Sequence, residues 1–230
     1  MNRTTSTILF ATGGILLGAL GTFLLPIALS FGSKPTAPVL SVGEDGLVYE
    51  TFVMESPIDM VSATHDGKKP IAAAPEGIPL LDEERIKAGF ALVVKLRNVA
   101  GEIVGFASEQ EVVAPGSNIQ QGRMEMDTTW TLTLPGRGTI FLAERENAAQ
   151  FAREAVMPAL LFDKPLTEPM TFVTTAGPAA DGTGLIVGGT GEFHGITGHF
   201  VEVTHLRGFS KQTGIDGTIE LQLAYAPIPD

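Results

Sequence analysis

The chain contains no cysteine. Disulfides, thiolate nucleophiles and cysteine-ligated zinc are therefore excluded. Tyrosine and tryptophan are scarce, two and one respectively in 230 residues, so Tyr49, Trp130 and Tyr225 alone combine an aromatic ring with a polar handle. Basic residues are few. Fifteen Lys and Arg face 26 Asp and Glu for a net charge of −11, which argues against a nucleic-acid partner. Between Arg3 and Lys34 there is no charge of either sign. What is plentiful is glycine, 27 residues, with 15 prolines, a mix suited to short strands joined by tight turns. The length permits a sizeable core and one or two domains.

The uncharged segment 8–31 is nearly all apolar or small. As a helix it would extend about 36 Å, enough to cross a hydrocarbon core of about 30 Å. A cleaved signal peptide has a shorter apolar region, but "ALS" before Phe31 is an acceptable cleavage site, so an anchor and a signal peptide are both open. The expected organisation is a cytoplasmic N-terminus (1–7), a transmembrane anchor or signal peptide (8–31), a tether (32–46) and a β-barrel domain (47–230). The expected location is the inner membrane, single-pass, with the C-terminal domain in the periplasm. Ala11, Gly14, Gly18 and Gly21 share one helical face. That face would either admit a partner helix from another membrane subunit or reflect the ordinary composition of membrane helices.

Strand patterns dominate from Leu47 onward, with eight or nine strands expected. Leu47–Met54, Gly89–Asn98, Glu102–Val113, Asp127–Leu134, Thr139–Arg145, Met170–Thr175, Gly184–Gly189, Glu192–Leu206 and Gly217–Tyr225 carry them. Residues 57–79 read as a long loop, with one helical turn at 82–87. Asn147 and Gln150 resemble a capping box ahead of an apolar helical stripe, Ala148, Phe151, Ala152, Ala155 and Val156, which Pro158 should end. Trp130, Leu132, Ile219, Leu221 and Leu223 are expected in the core.

"GGTGEFHGITGHFVEV" (Gly188–Val203) has three readings. A dinucleotide loop needs a third glycine where His194 stands, and a helix where a strand follows. A metal site fails on spacing, because His199 and His205 lie about 20 Å apart along one strand. A tight turn of Gly188, Gly189 and Gly191 leading into a glycine-punctuated strand fits. No metal and no cofactor are expected.

Gly188, Gly189, Thr190, Gly191, Phe193, Gly195 and Gly198 resemble the turn-and-strand motif of the allene oxide cyclase and dirigent families. Arg137–Leu142 is similar to their preceding strand, and Glu102–Val113 more loosely to an early one. The resemblance implies an all-β, eight-stranded antiparallel barrel with a cavity for a hydrophobic small molecule. Members of these families cyclise an unstable epoxide or steer radical coupling without performing the oxidation. The long loop, the inserted helix and the N-terminal segment depart from that pattern, and neither family's catalytic residues can be placed here.

The chemical candidates are set by strand parity. His199 and His205 would act as base or donor if their face lines the cavity, and would otherwise be solvated. Glu109 and Glu111 would act as base or cation stabiliser if buried, and would otherwise form an exterior stripe. Tyr49, Trp130 and Tyr225 are candidates for contacting a ligand. Two functions follow: a membrane-anchored isomerase or cyclase acting on an apolar molecule, or a non-catalytic accessory subunit of an inner-membrane complex.

Overall fold

The computed structural model describes residues 41–65, Arg85 and 89–226, all within the Ala37–Asp230 unit of the chain. The expected anchor, 8–31, lies outside the described residues, as do 66–79 of the expected loop and all but Arg85 of the expected turn at 82–87. Among the described residues no helix is long and apolar enough to cross a membrane.

The strands, in chain order, are β1 (Ser41–Val42), β2 (Val48–Ser56), β3 (Met60–His65), β4 (Gly89–Asn98), β5 (Ile103–Val113), β6 (Glu125–Leu134), β7 (Gly138–Asn147), β8 (Met170–Val173), β9 (Gly184–Gly191), β10 (Gly198–Ser210) and β11 (Gly214–Tyr225). Eight of them form a ring in the order β2–β11–β10–β9–β7–β6–β5–β4. The ring closes through Phe52↔Asn98 and Val53↔Arg97, and every pairing is antiparallel. Closure sends every second side chain inward.

Two positions in the ring are built from two pieces of chain. β9 pairs with β10 at Gly198–Phe200, and β8 pairs with the same strand further along, at Val203–Leu206. Between them the chain leaves the wall and returns. Similarly, β2 pairs with β4 near Asn98, whereas β3 pairs with β4 from Val94 back to Phe90. Residues 60–65, expected in a loop, are therefore a strand. The junction is fixed by Asp59, which is fully buried. It accepts from Arg97 Nε (2.8 Å) and Nη2 (2.7 Å) and from the Glu55 N–H (3.0 Å). Such a bidentate, hydrogen-bonded arrangement is the geometry in which a buried carboxylate is tolerated.

The interior has two halves. One end is packed solid with Leu96, Leu132, Leu134, Ile140, Phe193 and Phe200. Arg137 seals it, pairing with Glu50 and Glu192 while its guanidinium lies 4.8 Å from the Phe193 ring centroid. Tyr225 donates its hydroxyl to Glu50 at 3.1 Å. At the other end lies helix α1, continuous through Ala149–Phe151, Ala152–Val156 and Met157–Phe162. Asn147 Oδ1 accepts from the Ala149 N–H at 3.1 Å, but the helix is capped at Ala148 with no side-chain bond and Gln150 turns to Glu154, so the expected capping box does not form. Pro158 does not end the helix. The π-helical turn Ala152–Val156 precedes it and absorbs the pairing that proline's missing N–H disrupts, so the helix runs on to Phe162. Phe151 stacks on Phe172 (6.2 Å) and meets Phe209 edge-on (5.5 Å), seating the helix against the barrel. Trp130, Leu132, Leu221 and Leu223 are buried as expected, whereas Ile219 is half-buried against the core.

In the glycine stretch, β9 runs to Gly191 and the chain turns through residues 192–195, so His194 sits in an exposed turn rather than on the expected strand. Gly191 has φ 61°. A Cβ at Gly189 would fall 2.6 Å from both Thr139 O and Phe193 O, and one at Gly191 would fall 2.4 Å from Arg137 O. Gly189→Ala and Gly191→Ala should each cost about 1 kcal/mol or more, whereas His194→Ala should stay within about 0.5 kcal/mol of wild type. Urea melts of the three variants check this, and glycine variants as stable as wild type would contradict it.

Candidate functional site

Between the packed end and α1 the interior holds a cavity of about 200 Å³. Its surface is mostly apolar, with Met54, Met60, Leu92, Met126, Phe151 and Phe172 prominent. The remaining wall carries carboxyl groups. Strand parity explains why. Ala107 faces inward on β5, so Glu109 and Glu111 do too. Ile140 and Leu142 face inward on β7, so Glu144 and Glu146 follow. Phe200 and Leu206 face inward on β10, with Glu202 between them. The register brings the three strands' carboxyls to one level. Glu109 is opposite Trp130, while Glu111 and Glu144 flank Thr128.

Glu109, Glu144, Glu146 and Glu202 are buried, and Glu111 is half-buried. One carboxylate oxygen from each of Glu109, Glu146 and Glu202 lies within 4.8 Å of the others. That spacing lets the three close around a single cation. Among the described residues, no lysine, arginine or histidine lines the cavity. Burial without a basic partner disfavours the charged form, and crowding of like charges disfavours it further. Burial pushes Glu109, Glu144 and Glu146 well above the usual carboxylate range, with their neighbours' charges adding to the effect. Burial and then the Glu202 charge push Glu111 up to about 8. Glu202 is also raised by burial, but hydrogen bonds pull it back. Thr174 Oγ1 donates to its Oε1 at 2.8 Å and Trp130 Nε1 to its Oε2 at 3.0 Å. Glu202 is thus the group whose anion is best stabilised. By contrast Glu146 Oε1, both Glu144 carboxyl oxygens and the Thr128 hydroxyl are buried without a hydrogen-bond partner.

The residues singled out in the sequence separate sharply. Glu109, Glu111 and Trp130 meet in the carboxyl cluster. His199 and His205 point outward, to Thr183 (2.8 Å) and to Thr171 (3.0 Å) with Glu220 (3.3 Å) respectively. Their face is the solvent face because Phe200, Glu202 and Thr204 take the inward positions. Tyr49 is exposed and donates to Asp45 at 2.6 Å, away from the cavity. Tyr225 belongs to the sealed end, where burial and the Glu50 charge raise its pKa. Sequence reading missed Glu144, Glu146 and Glu202, although each is in phase with apolar inward residues of its own strand.

No protein-family model matches the chain, and no curated protein matches it. Among solved structures the chain is similar to two pterocarpan synthase dirigent proteins. The first is 15% identical over 82% of this chain and 99% of that one, with a TM-score of 0.42. The second is 14% identical over 86% and 90%, with a TM-score of 0.41. It is also similar to a nonspecific heme-binding cyclase that catalyses [4 + 2] cycloaddition during neoabyssomicin biosynthesis. That protein is 12% identical over 93% of this chain and 78% of that one, with a TM-score of 0.39.

The raised carboxyls fix the sign of a pH effect. Their folded pKa values lie above the ordinary 4.5, so between the two values the folded chain holds more protons than the unfolded one, and stability falls as pH rises. The contribution of Glu111 should be complete below about pH 4.5 and lost as pH climbs through about 8. Denaturant midpoints measured from about pH 5 to about pH 9 should decline, and Glu111→Gln should flatten the decline. A midpoint that rises across that range would contradict it.

Proposed function

We infer that the chain is a ligand-binding barrel that performs acid–base isomerisation or cyclisation on an apolar small molecule. The observation that carries this reading is Glu146 Oε1, buried without a hydrogen-bond partner on the wall of a mostly apolar cavity, a few ångströms from a Glu202 held by Trp130 and Thr174. Two acidic groups with unlike environments divide the roles. Glu146, kept protonated by burial, donates a proton to the substrate. Glu202, the better-stabilised anion, faces the positive charge that develops. Ring closure or bond migration then returns a proton to the Glu146 carboxylate. The sequence is redox-neutral and calls for no cofactor. Water exclusion by the apolar wall strengthens each electrostatic contact and protects a reactive cation.

The apolar segment 8–31 supports a location at a membrane, with the barrel on its periplasmic side, where a lipid-dissolved substrate is at hand. The test is mass spectrometry of small molecules co-purifying with the native full chain and with Glu146→Gln. Wild type should carry a rearranged apolar product, and Glu146→Gln its unconverted isomer. The same molecule in both would make the barrel a carrier. Stoichiometric co-purifying proteins with no small molecule would make it an accessory subunit, and either result overturns the catalytic reading.

A further inference from the structure

Glu109, Glu146 and Glu202 carry a feature that acid–base chemistry alone does not require. They are three carboxyls converging from β5, β7 and β10, with Glu111 and Glu144 beside them and no basic side chain opposite. A single general acid needs one such group. Burial without a counter-cation keeps such groups protonated, and a cation that completed the site would let the cluster give up a proton. Glu146 Oε1, on the wall of this cavity, is buried with no hydrogen-bond partner.

The geometry distinguishes what fits. An ammonium nitrogen donating three hydrogen bonds of about 2.8 Å in a tetrahedral arrangement places its acceptors about 4.6 Å apart. The oxygens of Glu109, Glu146 and Glu202 lie within 4.8 Å of one another. A bare metal ion would also find oxygen donors here, but it would leave the adjoining 200 Å³ apolar cavity unused. A ligand with a cationic nitrogen and an apolar body uses both.

We propose that the molecule taken by this barrel is a lipophilic amine, its ammonium held among Glu109, Glu146 and Glu202 and its hydrocarbon body in the cavity lined by Met54, Met60, Met126 and Phe172. The proposal rests on the ligand-binding reading above and narrows its substrate class. Met side chains are polarisable and adapt to an apolar body of varied shape. Trp130, hydrogen-bonded to Glu202 at 3.0 Å, is the only tryptophan of the chain, so its fluorescence reports directly on the site.

The test uses the full chain and three probes of equal length, n-octylammonium, octan-1-ol and octanoate, with calcium and manganese chloride alongside. Octylammonium should shift Trp130 emission saturably. Octanol should bind at least about tenfold more weakly and octanoate more weakly still. Glu109→Gln and Glu146→Gln should each weaken octylammonium at least about tenfold while leaving octanol within about twofold. Octanol binding as tightly as octylammonium would overturn the amine proposal but leave the apolar-ligand reading standing. Binding by none of the three probes would overturn both. Saturable binding of calcium or manganese without any response to octylammonium would make the cluster a metal site instead.

Discussion

A closed ring of eight strands imposes one constraint on everything inside it. Each strand alternates, so a residue in phase with the core goes to the interior whatever its chemistry. In this barrel three strands place glutamates in phase with leucine, isoleucine and phenylalanine. The interior then cannot be packed solid. Carboxyls crowd one level, the space beside them stays open, and the packing needed for stability moves to the other end. There Leu96, Leu134, Phe193 and Phe200 fill the barrel. Charge at the packed end is neutralised, with Arg137 between Glu50 and Glu192. At the cavity end it is not. This asymmetry gives the barrel a sealed base and a cavity walled in part by carboxyls.

The two split positions serve the same division. Just past β8, Thr174 and Thr175 stay bonded between β10 and β7 and turn their hydroxyls to Glu202. Thr174 Oγ1 meets its carboxyl at 2.8 Å, and Thr175 Oγ1 accepts from its N–H at 2.7 Å. Where β2 gives way to β3, the Asp59–Arg97 pair holds the wall while Met54, Met60 and Ala63 line the cavity behind it. Both split positions thus lie at the end where a ligand would sit. The regular pairing of β5, β6 and β7 supplies the rigid backbone on which four of the five carboxyls are mounted.

Much of the fold was legible in the sequence because period-two alternation survives local noise. "DTTWTLTL" announced which side of β6 is inside, and the glycines of residues 188–198 announced the turn that leads into β10. The helix boundary at Pro158 was not legible. A proline stop is a local rule, and the π-helical turn that overrides it belongs to the helix as a whole. β3 was obscured by the loop-like residues that follow it. The site was only half legible. Glu109 and Glu111 stood out as a pair, but glutamate's preference for solvent favoured an outward face. The same preference drew attention to His199 and His205 on β10 and away from Glu202. The decisive signal was available, since Glu144 and Glu146 continue the inward row of Ile140 and Leu142. Its weight depends on closure of the ring, which no single strand reveals.

The central claim is that the interior glutamates other than Glu202 hold their protons well above the usual carboxylate range. Infrared spectroscopy of the full chain with labelled glutamate, recorded through a titration from about pH 4 to about pH 9, measures this directly. The expected result is a protonated carboxyl band that persists at about pH 7 and shrinks in Glu109→Gln and Glu146→Gln. Loss of the whole band by about pH 5.5, as for glutamates in water, would contradict the account.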